Sequence, residues 1–434
     1  MIIDNLEEFE NIKFNKVCDE SNYVKKIYIA FIEVVDLLKK NKKLLSKSQA
    51  EEVGKPIKYC QTEVERCICQ LDQAIMYIHY KYELSCTDKI RSKKRIPIGT
   101  VLAITTFSSP YSSFFHKIIP SIICGNIFVF APSPKACRCS KIIFNLLEGC
   151  IKKYLPEIEK RIFFVDTILV NSNEIVDKLK YDYILFTGKS DTALLLKKRI
   201  GYHHAIFETG SNAMAYVDET IDNLDRLAEM LVNAAFAQSG MRCIGLKNLF
   251  IQEKISERLI DKIVRVTEKV PVGNPMDSNV MVGPINDTTL ISELINNILL
   301  LKSSGYRVLT GGRIQNDHIL QPTILLSSFN NTLAVKEMYG PVLCVHVVKS
   351  FKDIDYVYYQ RSSLNTAFFS KNLNSIKQFI EYCDTCGTIC INCGPDKRND
   401  ELPFGGLFDE NDGKEDLESL IKVLSIEQQV IFDD

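Results

Sequence analysis

The sequence predicts an α/β protein built from two units of similar size, each a mostly parallel sheet flanked by helices. Three observations predict it. Short apolar runs without polar alternation, "TVLAIT", "IFVFA", "RIFFVD" and "YILFTG", recur between Thr100 and Gly188. Segments of helical periodicity separate them. After Cys243 the alternation resumes with "NLFIQ", "RVLTGG", "LCVHVV", "NTAFFS" and "GTICIN". Strands buried on both faces read as continuous apolar runs, and helical crossovers make neighbouring strands parallel.

Taken in order, residues 1 to about 80 read as helices. "YVKKIYIAFIEVVDLLKKNKKLLSKSQAEEVGKP" carries apolar residues at helical spacing with charges on the other faces. "IRSKKRIPIGTVLAITTFSSP" then changes to a buried strand. "KIIPSIICGNIFVFAPS" gives a helix, a Gly-Asn turn and a strand. A helix "CSKIIFNLLEGCIKKYL", the strand "RIFFVD", a helix "SNEIVDKLK" and the strand "YILFTG" complete the first unit. No tandem repeat or low-complexity linker interrupts the chain.

Composition narrows the function. The 434 residues carry a net charge of -1, which argues against a nucleic-acid-binding surface. With 46% apolar residues the chain can bury large cores, yet it has no run of about 18 that would span a membrane. The acidic N-terminus "MIIDNLEEFENIKF" lacks a signal-peptide core, so the expected location is cytoplasmic. Fifteen cysteines in so long a chain do not suggest a disulfide scaffold. Cys383, Cys386, Cys390 and Cys393 form two C-x-x-C pairs, but far fewer residues separate them than the roughly 15 of a zinc ribbon. Gly387 reads as a helix C-cap before a short strand, in which alternation scatters the sulfurs. Packed thiols are expected rather than a metal site, and the six histidines show no ligand spacing.

Chemistry concentrates in a few segments. In "YILFTGKSDTALLLKKRI" a strand ends at Gly188 and a helix starts near Ser190 or Asp191. Such a helix N-terminus offers N–H groups to a phosphate, although no G-x-G-x-x-G fingerprint is present. In "FETGSNA" Glu208 follows an apolar segment, and partial desolvation suits a carboxylate to general-base work. In "FAQSGMRC" a Gly turn presents Cys243. A nearby base or the dipole of a following helix can activate this thiol, and Arg242 can supply a positive field or bind an anion on a substrate. "KEMYGPVL" and "LPFGGL" add turn-rich aromatic segments.

In order and spacing, these segments resemble the aldehyde dehydrogenase superfamily over roughly residues 30 to 430. "GTVLAITTFSSPYSSFFHKIIPSIICGNIFVFAPS" resembles its first strand through Lys-Pro-Ser. "FTGKS" resembles Phe-Thr-Gly-Ser, "FETGSNA" the Glu-Leu-Gly-Gly motif and "AFAQSGMRC" the Gly-Gln-x-Cys motif. "EMYGPV" resembles Glu-x-Phe-Gly-Pro, and "INCGP…LPFGG" the C-terminal motifs. "FETGSNA", "HKIIP" and "MRCIGLKNLFI" lean towards the lactaldehyde and non-phosphorylating glyceraldehyde-3-phosphate dehydrogenase branch.

The resemblance implies two Rossmann-like α/β domains plus a β-hairpin oligomerisation element. The cofactor-binding domain would cover 1-79 and 98-208, the catalytic domain 209-415, and the oligomerisation element 80-97 and 416-434. It implies a homodimer or homotetramer acting on a small aldehyde with NAD or NADP. Cys243 would attack the aldehyde, the thiohemiacetal would be oxidised to a thioester, and Glu208 would activate water to release the acid. The Cys243 N–H and Ser108 would hold the oxyanion. Thr105, Phe107, Ser133, Gly188 and Lys189 would line the cofactor path. Glu337 would hold the nicotinamide ribose, with Tyr339 beside the nicotinamide and Arg242 near the substrate. No metal is implied.

Besides Tyr339, which stands where the motif has Phe, departures at five positions stand out. Ser108 replaces the oxyanion Asn, and on this basis Ser108→Asn would raise turnover roughly tenfold. Ala131 and Pro134 replace a lysine and an acid that meet the adenosine ribose. Met241 replaces Gln, and Lys189 replaces Ser, which would attract phosphate or favour NADP. A family-fold binding partner with weak or no dehydrogenase activity, and a CoA-dependent acylating aldehyde dehydrogenase, are the alternatives. Retention of Glu208 speaks against the second.

Overall fold

A computed structural model of the chain describes residues 2–3, 20–79, 92–170, 172–201, 204–316, 318–327, 337–354, 364–383, 386–400, 402–406 and 413–430. The strands are β1 (Ile2–Ile3), β2 (Ser92–Pro97), β3 (Thr100–Ile104), β4 (Ile127–Ala131), β5 (Ile162–Val165), β6 (Tyr183–Thr187), β7 (His204–Glu208), β8 (Met214–Val217), β9 (Asn248–Gln252), β10 (Arg307–Thr310), β11 (Ile314–Gln315), β12 (Ile319–Leu320), β13 (Thr323–Leu326), β14 (Val342–Val348), β15 (Asn365–Phe369), β16 (Thr388–Ile391) and β17 (Ser425–Val430). The helices are α1 (Glu20–Val53), α2 (Ile57–Tyr77), α3 (Pro110–Ile123), α4 (Cys137–Tyr154), α5 (Ser172–Lys178), α6 (Ser190–Ile200), α7 (Leu224–Phe236), α8 (Glu253–Thr267), α9 (Thr288–Ser303), α10 (Leu373–Tyr382) and α11 (Leu417–Val423).

Two sheets follow. The first has the order β1-β5-β4-β3-β6-β7, and every pairing is parallel. Helices cover both of its faces, which is why the middles of its strands are apolar. In β4, Phe128 and Phe130 pack with Phe114 of α3 and Phe144 of α4. The intervening Ile127, Val129 and Ala131 face the cluster that holds α5 and α6. This alternation is the period-two geometry of a strand. The second sheet has the order β10-β13-β14-β9-β8-β15-β16, parallel except at the β10 edge. α7 and α8 cover one face, and α9 and α10 the other. β11 and β12 form a small antiparallel pair.

The helical reading of the N-terminus misses β1, which pairs with β5 at the edge of the first sheet. The expected C-cap at Gly387 is also displaced, because α10 ends at Tyr382 with Cys383 as its cap. β2 pairs antiparallel with β17 as a separate ribbon. Residues 80–91 of the expected hairpin lie outside the described residues. Among the described residues no helix is long and apolar enough to cross a membrane, and no cluster of three metal-ligating side chains occurs.

The strand order places the site. In the first sheet the chain moves outward from β3 through β4 and β5, then returns to β6 and β7 on the other side. Open parallel sheets bind ligands at the carboxyl ends of the strands where the order reverses. Here that point lies between Thr105, after β3, and Gly188, after β6.

Candidate active site

A cleft of about 1070 Å³ lies at this point and is lined as well by Cys243, before β9, and by Glu337 and Tyr339, before β14. Thr105, Phe107, Ser108, Ser133, Gly188, Lys189, Glu208, Arg242, Cys243, Glu337 and Tyr339 all line it. Every site residue expected from the sequence is therefore brought into one cavity.

The loop after β3 is held from behind by a buried ion pair. Glu63 Oε1 accepts the N–H groups of Tyr111 at 2.9 Å and Ser112 at 3.1 Å, at the start of α3. These are helix N-terminal donors without partners in their own helix. The other Glu63 oxygen accepts Lys55 Nζ at 2.5 Å and Gln49 Nε2 at 2.6 Å. Lys55 also donates to the carbonyl of Ser108 at 3.2 Å. A buried pair adds little net stability, but this one fixes where Ser108 sits.

The candidate nucleophile stands on a strained turn. Gln238, Ser239 and Gly240 have φ of 58°, 58° and 67°, a left-handed run that side chains disfavour. Ser239 Oγ accepts the Gly283 N–H at 2.9 Å. A Cβ on Gly240 would lie 2.1 Å from the Gly340 carbonyl, so only glycine fits. The buried Lys247 donates to the Gly240 carbonyl. The turn leaves Cys243 half-buried at the cleft.

The environment of Cys243 differs from the sequence expectation. No helix follows it; Gly245 leads into β9. Arg242 lines the cleft, but its guanidinium is bonded to Asp396 Oδ2 at 3.2 Å and to the Asp396 carbonyl at 3.0 Å. Burial, and next the Glu208 carboxyl, push the thiol up to about 12, against the weaker pull of Arg398 and Arg66. The nearby guanidiniums do not offset burial, so the resting thiol is protonated.

Glu208, the last residue of β7, accepts Thr187 Oγ1 at 3.2 Å. Its carboxyl also hydrogen-bonds that of Glu415, and Lys117 Nζ donates to Glu415 Oε1 at 2.9 Å. All three groups are buried. Burial and the charge of Glu415 push Glu208 well above the ordinary carboxylate range. Burial opposes ionisation of Glu415 too, but Lys117 and the bond from Glu208 hold it well below that range. The pair shares one proton, which rests on Glu208. Like charges this close do not both ionise.

Farther along the cleft, Arg66 and Arg398 share one carboxylate. Asp400 Oδ1 is 3.1 Å from Arg66 and 2.6 Å from Arg398. Arg398 also stacks over Phe404 at 3.6 Å. Burial pulls His116 down to about 3, so it is neutral. Two guanidiniums over one acid leave a net positive charge here.

The opposite end fits a pyridine nucleotide. Thr105 Oγ1 and Glu337 Oε1 are buried without hydrogen-bond partners. Glu337 presses on Gly210, where a Cβ would lie 1.7 Å from Oε2. Burial pushes Glu337 up to about 7. The first turn of α6 follows Gly188 without a side-chain cap, so its N–H groups face the cleft. Lys189, which the sequence offered for phosphate attraction, pairs with Glu293 at 2.9 Å. Lys135, just past Ser133 and Pro134, pairs with Asp287.

A cleft between two α/β units, with unpartnered polar groups and a helix N-terminus at one end, suits a pyridine-nucleotide-dependent oxidoreductase. The chain belongs to the aldehyde dehydrogenase family, which it matches over residues 26–426. It is 27% identical to the lactaldehyde dehydrogenase of Methanocaldococcus jannaschii, over 99% of this chain and 91% of the relative. It is 28% identical to the sulfoacetaldehyde dehydrogenase of Neptuniibacter caesariensis, over 77% and 72%. It superposes with a TM-score of 0.85 on the crystal structure of glyceraldehyde-3-phosphate dehydrogenase GapN from Methanocaldococcus jannaschii complexed with NADP. That match covers 99% of this chain and 92% of the other, at 25% identity.

Sequence reasoning missed Glu415, Lys117, His116, Arg66, Arg398 and Lys247. "HKIIP" did contain His116 and Lys117, but a helical His-Lys pair reads as a solvated face until its burial is known. It also missed the contact between Ser108 and Tyr339, whose hydroxyls are 2.6 Å apart.

Proposed function

We propose that this chain, an NAD(P)-dependent aldehyde dehydrogenase, oxidises a short aldehyde with an anionic tail. The observation that carries the reading is one cleft joining Cys243 and Glu208 to the Arg66–Arg398 pair. Cys243 sulfur adds to the aldehyde carbon, and its proton leaves to solvent. The Cys243 N–H and Ser108 face the oxygen that gains charge. When bound, the nicotinamide supplies the two-electron acceptor that turns the thiohemiacetal into a thioester. Once its own proton has left to solvent, Glu208 takes a proton from the water that releases the acid. Thr105, Gly188, Glu337 and the first turn of α6 would hold the cofactor, with Phe107, Ser133 and Tyr339 along its path.

The anionic tail rests on the positive charge around Arg66 and Arg398, and on the sulfoacetaldehyde and glyceraldehyde 3-phosphate in the names of relatives. Arg242, bonded to Asp396, would brace that wall. Residues 1-79 and 98-208 serve as cofactor domain and 209-415 as catalytic domain. The ribbon of β2 and β17, within 80-97 and 416-434, would join subunits into a homodimer or homotetramer, which light scattering measures. The free thiols suit a reducing cytoplasm.

The test is a panel of lactaldehyde, sulfoacetaldehyde and glyceraldehyde 3-phosphate with NAD and with NADP, followed by absorbance of reduced cofactor. Arg66→Ala is expected to raise KM for the anionic aldehydes about tenfold or more and to leave the neutral one within about twofold. Equal effects on both would overturn the tail assignment. A requirement for CoA would overturn acid release by water.

A further inference from the structure

The sequence sets two C-x-x-C pairs side by side, and the fold parts them. In β16, Ile389 and Ile391 pack with the cluster on the α10 face of the second sheet, while Cys390 packs with α7 and α8 on the other face. Cys383 and Cys386 belong to the first face and Cys393 to the second. The four sulfurs therefore do not surround one ion. The first pair is instead a close dithiol, with Cys383 Sγ 3.4 Å from Cys386 Sγ.

Both ends of this short segment are pinned. Cys383 caps α10, and its N–H donates to the Phe379 carbonyl at 2.9 Å. At the other end the Thr388 N–H donates to the Leu364 carbonyl at 2.9 Å. Gly387 lies against a neighbouring loop, where a Cβ would be 2.2 Å from the Gly405 carbonyl. The backbone thus holds the two cysteines as neighbours.

The two thiols differ. Cys383 is 4% exposed, whereas Cys386 is half-buried and within reach of solvent. The Thr388 carbonyl, 3.5 Å from Cys386 Sγ, can only accept, so the Cys386 S–H donates to it. Cys383 is then the donor in the contact between the sulfurs. That bond holds the Cys386 thiol below the usual range, against the burial that raises it. The sulfur that a reagent reaches is therefore also the one whose thiolate is favoured.

We propose that Cys383 and Cys386 are a redox-active dithiol, which a small-molecule disulfide such as oxidised glutathione converts to an intramolecular disulfide. The Cys386 thiolate attacks one sulfur of the reagent, whose S–S bond breaks and releases a thiolate. Cys383 gives its proton to solvent and attacks the mixed disulfide at the Cys386 sulfur. The Cys383–Cys386 bond forms, the bond to the reagent's second half breaks, and a second thiolate leaves. Two protein thiols are oxidised, and one reagent disulfide is reduced to two thiols that take up the two protons. The sulfurs have only to close from 3.4 Å to about 2.05 Å. The ring spans only residues 383–386, so it gains little from loop closure and stays open to reduction.

The proposal stands apart from the aldehyde chemistry, and its test needs no substrate. Full-length protein, freed of reductant, is treated with oxidised glutathione, blocked with an alkylating agent and cleaved before aspartate without reduction. Cleavage before Asp384 parts Cys383 from Cys386, so their peptides stay joined only through a disulfide. The exposed Cys69 reports that the reagent acts. Joined peptides are expected in more than about half of the chains, and dithiothreitol is expected to separate them. Cys383→Ser is expected to keep glutathione on Cys386, since nothing resolves the mixed disulfide. Cys386→Ser is expected to leave Cys383 unmodified. The natural protein alone decides the pairing, whether or not a variant folds. Three results would overturn the proposal: no joined peptides while Cys69 carries glutathione, Cys383 joined to Cys390 or Cys393 instead, or glutathione on Cys383 in Cys386→Ser as readily as on Cys386 in Cys383→Ser.

Discussion

The two sheets of this protein repeat one strand order and use it differently. Leaving aside β1, the first sheet runs third, second, first, fourth, fifth counted from β3; so do the five strands β14-β9-β8-β15-β16 of the second counted from β8, to which β10 and β13 are added at one edge. Each therefore has a point of reversal, between β3 and β6 and between β8 and β15. At the first, Thr105 and Gly188 open on the cleft, and the Thr105 hydroxyl has no partner. At the second, the polar groups satisfy one another. Thr220 binds Asp218 through its N–H at 2.8 Å, and Lys371 N–H binds Thr220 Oγ1 at 2.7 Å. Asn392, with φ of 55°, accepts the Ser370 N–H and donates to its carbonyl, both at 2.9 Å. The second sheet instead turns its N-terminal edge to the site, with Cys243 before β9 and Tyr339 before β14. Topology provides a place for a ligand; the residues at the strand ends decide whether it stays open.

Variants can break this contrast, beginning where the effect is largest. Cys243→Ala is expected to lower aldehyde oxidation by about a thousandfold or more with an unchanged circular dichroism spectrum. Retained turnover would remove Cys243 from the chemistry.

Glu208→Gln is expected to slow acid release about a hundredfold while a first burst of reduced cofactor persists. The natural enzyme should show the proton on Glu208 directly. Because its pKa is raised, acid release should climb as pH goes from about 6 to about 9, while an ordinary carboxylate would give a flat profile over that range. The stability sign is opposite. Between its unfolded and folded pKa values Glu208 binds more proton in the native state, so its contribution to stability falls as pH rises. A flat rate profile would place the proton elsewhere.

Lys117→Met removes the cation that keeps Glu415 ionised. Both carboxyls should then hold protons more tightly. The rate profile is expected to move to higher pH, with about a tenfold loss at neutral pH. An unmoved profile would mean that Lys117 only fills space.

At the other reversal point, Asn392→Ala is expected to lower the melting temperature by a few degrees, about 1–2 kcal/mol, for the lost bonds and strained backbone. Turnover should stay within about twofold. A large loss of turnover would show that the second reversal point is coupled to chemistry.

Legibility in the sequence follows the same division. The strand runs were readable because helices on both faces make them apolar, as in β4. The placing of Cys243 and Glu208 at the cleft was readable because each sits in a short local motif, the left-handed Gln238–Gly240 turn and the end of β7. Glu415 and Lys117 were not, since 298 residues separate them. Ser108 and Tyr339, 231 apart, joined only when the second sheet lay over the first. Lys55 and Glu63 are close in sequence but look like a solvated helix face until their burial is known. β1 was missed because two residues carry no periodicity.

The central claim is that Cys243 carries the substrate as a thioester that Glu208 releases. Its most direct measurement is the intact mass, then the peptide map, of Glu208→Gln after brief mixing with NADP or NAD and an aldehyde that the natural enzyme oxidises. The account predicts one acyl group per chain, on Cys243, removed by hydroxylamine. An unmodified Cys243, with reduced cofactor still accumulating, would contradict it.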